Sequence, residues 1–266
     1  MHENTSEILQ PLNDLPLISV VTVTLNDKEG LKKTIESVMR QGELKRLEHI
    51  IVDGASSYDI FGLVAELGSN ARCWSEPDGG LFDAMNKGIE LATGTFVIFM
   101  NSGDCFAEDD IVREVKSAMS NETPDIIYGD SLEQLESGEV AYKRGRDMRW
   151  IGIGMNTHHQ SFLYRRGMLN EKGIRYNLDY RLAGDYEFTL LCHRAARCTV
   201  RLRTPVSVFL SGGLSQVRYA EAHREQAKIR EKFFNSRLFA HAILYAQLLN
   251  GLLRRRLPAL YWRLKQ

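Results

Sequence analysis

Three short acidic turns carry the residues in this sequence most able to do chemistry. They are Asp53-Gly54, Asp78-Gly79-Gly80 and Ser102-Gly103-Asp104. The first and third directly follow apolar, β-branched runs, His49-Ile50-Ile51-Val52 and Phe96-Val97-Ile98-Phe99-Met100. Such a run reads as a buried strand, and the turn as the loop at its carboxyl end. In open α/β sheets that edge is where ligands bind, so the three turns are expected to converge on one cleft. Carboxylates brought together are costly unless donors or a cation answer them. A hard divalent ion, Mg2+ or Mn2+, bridging the phosphates of a substrate would do so, because it prefers oxygen and leaves several positions to the substrate. The plainer reading of Asp53 and Asp78 is turn chemistry, since Asp-Gly is a frequent turn pair. For Asp104 it is a cap on the helix starting near Glu108.

Other chemistries lack their signatures. There is no GxxxxGK[ST], and Gly152-Ile153-Gly154 has no third glycine and follows no clear strand, so P-loop and dinucleotide fingerprints fall away. Cys73, Cys105, Cys192 and Cys198 form no CxxC and share no metal-ligand spacing with histidine, so they read as reduced thiols that pack as small hydrophobes. His158 and His159 are adjacent; on a strand they would face opposite sides, which argues against joint metal ligation.

The elements that must position these turns follow from periodicity. Strands are expected near 17–25, 49–52, 72–74 and 96–100, with helices between them near 58–67 and 81–92 and another carrying Leu31, Ile35, Val38 and Met39. That alternation implies βαβ units and a mostly parallel sheet. Beyond Asp104 the expectation is a helix near 108–120, a strand at 125–128 and a hairpin of 131–135 with 140–143 around Glu136-Ser137-Gly138. Then come a strand over Gln160–Tyr164, a helix at 185–195, strands at 199–202 and 206–210, and helices at 219–234 and 237–256. The division expected is a loose leader over 1–16, one α/β domain over 17–216 and a C-terminal helical appendage over 217–266.

Four segments together carry a resemblance. They are Val20 to Asn26, Ile51-Val52-Asp53-Gly54-Ala55-Ser56, Ser75-Glu76-Pro77-Asp78-Gly79-Gly80-Leu81-Phe82-Asp83-Ala84-Met85-Asn86-Lys87-Gly88, and Phe99-Met100-Asn101-Ser102-Gly103-Asp104. In this order they resemble the family 2 glycosyltransferases of the GT-A fold, and among them the bacterial exopolysaccharide enzymes of the colanic-acid type. The resemblance spans about Ile18 to Ser215. It implies a Rossmann-like, mostly parallel sheet flanked by helices and a nucleoside-diphosphate sugar donor. Thr24, Asn26 and Asp53 would contact base and ribose; Asp78, Gly80, Asp83, Asn86 and Ser102 would line the nucleotide and donor sugar. Asp104 matches the last carboxylate of the family's Asp-x-Asp metal motif, with Ser102 where the first Asp would stand. One carboxylate in place of two implies a weakly held Mg2+ or Mn2+ that arrives with the diphosphate, or none.

A second match, Leu182-Ala183-Gly184-Asp185-Tyr186-Glu187-Phe188, places Asp185 where the family has its catalytic base. An inverting transfer needs a carboxylate to take the proton of the attacking hydroxyl. The bland alternative is that Asp185 is an N-cap; Glu187 is the fallback base. His159 and Gln160, in His158-His159-Gln160-Ser161-Phe162, match a pair lining the donor or acceptor side. Gly212-Gly213-Leu214-Ser215 resembles a segment that closes over the site. The implied activity is single hexosyl or deoxyhexosyl transfer to a saccharide acceptor that is lipid-linked. Processive relatives carry several spans and a Gln-x-x-Arg-Trp motif, of which Asp147-Met148-Arg149-Trp150 is no copy.

Lys and Arg together balance Asp and Glu at 34 each, so no global charge recruits nucleic acid. From residue 237 the basic side chains are Arg237, Arg254, Arg255, Arg256, Arg263 and Lys265, with no Asp or Glu, among Leu238, Phe239, Tyr245, Leu249, Leu252, Tyr261 and Trp262. That composition suits attachment to an anionic inner leaflet. With no signal-like leader, the expected location is the cytoplasm, peripheral on the inner face of the membrane. Two other classes stay open at this point: a non-catalytic nucleotide-sugar-binding subunit, and a sugar nucleotidyltransferase, although Leu25-Asn26-Asp27-Lys28-Glu29-Gly30 lacks the glycine run of the latter.

Overall fold

The computed structural model describes residues 16–120, 122–135 and 137–256, without the side chains of Leu214, Ser215 and 253–256. The leader expected over 1–16 thus lies outside the described residues except for Pro16, as do Glu136 of the expected turn and the tail positions from Leu257 to Gln266. The side chains of Arg254, Arg255 and Arg256 lie outside them too.

The first half is a regular alternation. β1 (Ile18–Thr24), entirely buried, leads into α1 (Lys28–Met39), whose start is fixed by Asp27 accepting the Gly30 N–H at 3.0 Å. β2 (Leu47–Asp53), α2 (Ile60–Glu66), β3 (Arg72–Ser75), α3 (Leu81–Leu91) and β4 (Phe96–Phe99) follow. β1 pairs in parallel with β2 and β4, and β2 with β3. Thr24 lies opposite Asp53 and Asp53 opposite Ser75, so the carboxyl ends of three strands finish level. Strands covered on both faces need apolar side chains throughout, which is why these runs are continuous rather than alternating.

The second half departs more from expectation. β5 (Cys105–Phe106) and α4 (Ile111–Ala118) precede β6 (Ile126–Gln134), one strand where two were expected at 125–128 and 131–135. The interruption is a register shift between Tyr128 and Ser131 in the pairing with β9 (Thr199–Leu210), likewise one strand where two were expected. Gly129 makes the crossing possible, since a Cβ there would stand 2.6 Å from Val206 Cγ2 and 2.8 Å from the Thr204 carbonyl. The irregularity absorbs Pro205, which has no N–H for the ladder. β7 (Val140–Lys143) completes the expected hairpin with β6.

The strand expected over Gln160–Tyr164 is β8 (Phe162–Arg165), and His159–Ser161 form a 3-10 turn before it. Adjacent residues in such a turn are not forced to opposite faces, which corrects the strand argument applied to His158 and His159. β8 enters antiparallel between β4 and β6. The sheet runs β3-β2-β1-β4-β8-β6-β9-β5, with β7 beside β6 and only β8 and β5 reversed along this path.

α5 (Arg166–Glu171), α6 (Gly184–Ala195) and the short α7 (Leu214–Val217) precede α8 (Tyr219–Phe234) and α9 (Arg237–Arg256). The last two form a hairpin turning at Asn235, whose φ of 49° is the left-handed conformation common at helix ends. An aromatic core of Phe82, Phe99, Phe162, Tyr164, Tyr176 and Phe188 seals α3 and α6 to the sheet; Tyr176 and Phe188 stack at 4.1 Å between ring centres.

Candidate active site

A cavity of about 930 Å3 opens at the carboxyl ends of the strands. Asp104, Ser102, Gly80, Asp83, His159, Gln160 and Asp185, all singled out in the sequence, line it together.

Asp104 is buried in the turn after β4. Its Oδ2 accepts from Gln160 Nε2 at 2.7 Å and its Oδ1 from the Leu210 N–H at 3.2 Å. Burial pushes its carboxyl up to about 7, against the pull of those two bonds. It caps no helix; α4 begins after Asp110. Ser102 is held by Asp27, whose Oδ2 accepts from Ser102 Oγ at 2.8 Å, so the carboxylate that caps α1 also fastens this turn. Beside Asp104, two buried amide oxygens, Asn101 Oδ1 and Gln160 Oε1, have no hydrogen-bond partner. A carboxylate flanked by unpartnered oxygens fits a hard divalent cation that takes its remaining ligands from phosphates and water. Among the described residues no three His, Cys, Asp or Glu side chains form a ready-made cage, so any ion would depend on those outside ligands.

Asp185 sits one residue inside α6, in its first turn, where a negative charge is favoured by the helix dipole. It is not the N-cap; Ala183 is. The small residues before it let the helix start press against α3, because a Cβ on Gly184 would stand 2.6 Å from the Phe82 ring. Burial raises the Asp185 carboxyl, partly offset by His159, the Tyr186 N–H and Lys143. His159 Nδ1 lies 3.7 Å from Asp185 Oδ2, and its Nε2 3.3 Å from Asn101 Nδ2. Burial also lowers the His159 imidazole, holding the ring towards its neutral form. His159 therefore joins the Asp185 end of the cavity to the Asp104 turn. Glu187, the fallback base, is not among the cavity-lining residues.

The remaining site residues stand elsewhere. Thr24, Asn26 and Asp53 form a separate polar cluster at the ends of β1 and β2. Asp53 accepts from Ser56 N–H and Oγ and from Ser75 Oγ, and Asn26 Oδ1 accepts from the Ser57 N–H at 2.8 Å. Asp78 accepts the Gly80 N–H at 2.8 Å and abuts Gly54, where a Cβ would lie 2.9 Å from its carboxylate. The three acidic turns do gather at one edge, where turn donors answer Asp53 and Asp78. Asn86 needs a firmer correction. Its amide clamps the backbone of Tyr176, donating to the carbonyl at 2.9 Å and accepting the N–H at 2.8 Å, so it is spent on packing rather than facing a donor.

The sequence reading missed the wall supplied from afar. Lys143 of β7, Arg181 and, from α8, Tyr219, His223 and Gln226 all line the cavity. Glu225 of α8 accepts the N–H groups of Arg181, Leu182 and Ala183 at 3.2, 2.8 and 3.0 Å, organising the loop that delivers Asp185. Buried Arg230 of α8 donates to the carbonyls of Gly152 and Ile153 and lies over the Tyr186 ring. No local pattern marks these positions, because each acquires its role through contacts between distant segments.

Solved structures share this architecture at low identity. S. aureus TarS 1–349 in complex with UDP superposes with a TM-score of 0.65 at 18% identity, over 90% of this chain and 73% of that one. The mannosyltransferase PcManGT from Pyrobaculum calidifontis, in complex with GDP-Man and Mn2+, does so with a TM-score of 0.61 at 15% identity, over 94% and 79%. The fold is thus the GT-A-like α/β arrangement. In sequence, an uncharacterized glycosyltransferase of Mycobacterium tuberculosis is 29% identical over 246 residues, 88% of this chain and 92% of its own. A PGL/p-HBAD biosynthesis glycosyltransferase of Mycobacterium bovis is 32% identical over 182 residues, 66% of this chain and 70% of its own. Residues 19–191, which carry both Asp104 and Asp185, match the family model described as glycosyl transferase family 2, and the chain belongs to that family.

Proposed function

We propose that this protein moves one hexosyl or deoxyhexosyl unit from a UDP- or GDP-linked sugar to a lipid-linked saccharide, with inversion, in bacterial surface or exopolysaccharide assembly of the colanic-acid type. The observation that carries the reading is one cavity holding two carboxylates with different surroundings, Asp104 buried and Asp185 half-buried. Asp104 stands among turn donors and free amide oxygens at the strand ends; Asp185 stands alone at a helix start beside a neutral imidazole.

In this reading the donor diphosphate lies by Gly80, Ser102 and Asp104, and its base and ribose by Thr24, Asn26 and Asp53. A divalent ion, when bound at Asp104 with the amide oxygens of Asn101 and Gln160, would supply positive charge against the departing diphosphate. Asp185 takes the proton of the acceptor hydroxyl as that oxygen bonds to the anomeric carbon. The bond from that carbon to the phosphate oxygen breaks, and its electron pair leaves with the diphosphate. Burial that raises the Asp185 pKa makes it a better base, and the Tyr186 N–H, donating to its Oδ1 at 2.8 Å, holds the carboxylate with His159 3.7 Å from the other oxygen. The choice of UDP or GDP is supported by what TarS and PcManGT hold in their complexes.

Thermal-shift titration with UDP, GDP, dTDP and CDP, with and without Mn2+, tests the donor site. One nucleotide at ~100 times its dissociation constant should add about 2.7 kcal/mol of stability. Asp104→Ala should abolish the Mn2+-dependent part. Asp185→Asn should keep nucleotide affinity yet lower transfer by about 10³-fold, near the middle of the range for losing a general base. No shift with any nucleotide would reject the donor site. Unchanged turnover in Asp185→Asn would remove the base, and pyrophosphate release from a nucleoside triphosphate would point to nucleotidyl transfer instead.

A further inference from the structure

The cavity carries two cations on its lining, Lys143 and Arg181, to which the proposed donor reading gives no role. Its charged lining residues are Asp83, Asp104, Asp185, Lys143 and Arg181. Among the described residues, neither the Lys143 nor the Arg181 side chain has a hydrogen bond or an ion pair within 4 Å. Lys143 ends β7, opposite Ser131 of β6, and Ser131 Oγ bonds His158 Nδ1 and Thr157 Oγ1, both at 3.0 Å. Lys143, Thr157 and His158 therefore belong to one wall. Lys143 is tied by this wall to Asp185, since His159, next to His158, has its Nδ1 3.7 Å from Asp185 Oδ2, and the Lys143 charge acts on all three. It stands at the Asp185 end of the cavity. Burial lowers its ammonium to about 8 despite the carboxylates of Glu133 and Asp185. A half-buried cation without a partner is costly, and an oxyanion from a ligand would offset that cost.

Which ligand follows from the stereochemistry of displacement, and here the argument rests on Asp185 acting as the base. In an in-line inversion the attacking hydroxyl and the departing diphosphate occupy opposite faces of the anomeric carbon. A cation at the base end faces the acceptor rather than the diphosphate. We propose that Lys143, with Arg181 exposed elsewhere on the cavity lining, forms an oxyanion subsite, so that the accepting saccharide carries a phosphate or a carboxylate close to its reactive hydroxyl. This makes the enzyme selective for acidic acceptors.

The subsite is tested by saturation-transfer NMR on full-length protein saturated with Mg2+ and whichever nucleoside diphosphate it binds. Two matched pairs serve as probes: glycerol 3-phosphate against glycerol, and glucuronate against glucose. The charged member of at least one pair should bind ten-fold or more tightly than its neutral twin, and the pair that does so names phosphate or carboxylate. Lys143→Met should erase that preference and Lys143→Arg should retain it, both with unchanged Tm and nucleotide affinity. Lys143→Met/Arg181→Met should bind both members of each pair equally. Equal binding of charged and neutral probes to wild type, or no binding of any probe, overturns the proposal. So does a ten-fold loss of nucleotide affinity in Lys143→Met, which would assign the lysine to the diphosphate. If no nucleotide binds at all, the donor reading fails separately, and the same pairs titrated into nucleotide-free protein still decide the subsite.

Discussion

His49 shows how a single side chain ties this fold to pH. It lies in β2, buried, with Nε2 2.9 Å from Thr22 Oγ1 and Nδ1 without a partner. Burial lowers its pKa from 6.5 to about 4. The folded state keeps the ring neutral while the unfolded chain protonates it, so between pH 6.5 and 4 the unfolded state binds more protons and stability rises with pH. The contribution is whole above about 6.5 and is lost as pH falls towards 4, by about 3 kcal/mol at 1.36 kcal/mol per unit. Denaturant melts from pH 7 to 4 should show this decline, and His49→Gln should flatten it. An equal slope in the variant would place the acid sensitivity elsewhere. The same scale shows where reading residue types stops. Asp104, Ser102 and Asp185 were legible because local turns and a helix start present them. Asn86 was misplaced because a motif locates a residue near a site without saying which way its amide points. Here it points at Tyr176.

Elements were legible where burial on both faces demanded continuous apolar runs, as in β1, β2 and β4. They were not where a strand tolerates a break. β6 passes through Gly129-Asp130 and β9 through Pro205, and both look like two strands until their mutual register shift is seen. Least legible was the support of one element by another. Three backbone N–H groups before α6 are held by Glu225 from a helix about forty residues on, and a carboxylate on α8 announces nothing of this in sequence. Glu225→Ala leaves those donors to water or unpaired, at about 1–3 kcal/mol. Hydrogen exchange should show amides 181–183 opening faster while the β1 and β4 amides hold. Transfer should fall about ten-fold with nucleotide affinity intact. Glu225→Asp should recover part of both. If exchange over 181–183 is unchanged, Glu225 does not hold this loop.

At the scale of the whole molecule, α8 and α9 face two ways. Inward, α8 walls the cavity and seats Arg230 over the Tyr186 ring. Outward, α9 exposes Leu238, Ala242, Tyr245, Leu249 and Leu252, spaced four and three residues apart and so along one face. Among the described residues no helix is long and apolar enough to cross a membrane. An apolar face followed in sequence by Arg254, Arg255, Arg256, Arg263 and Lys265 supports docking on an anionic leaflet, where a lipid-linked acceptor would be met. Wild type should float with vesicles rich in anionic lipid, and Leu238→Glu/Leu249→Glu should stay in the pellet at unchanged Tm. Flotation equal in both would remove α9 from the membrane reading.

The position of the cavity wall in the chain also sets an order in time. β1 to β4 and the Asp104 turn leave the ribosome first, and domains begin to fold as they emerge. Tyr219, His223, Glu225 and Gln226 are made more than a hundred residues after Asp104. A nascent chain that has emerged to residue 216 therefore has strand-end turns for a nucleotide but neither the second wall nor the carboxylate that steadies the Asp185 loop. On the proposed function, donor recognition would need only the turns made early, and productive transfer would wait for α8.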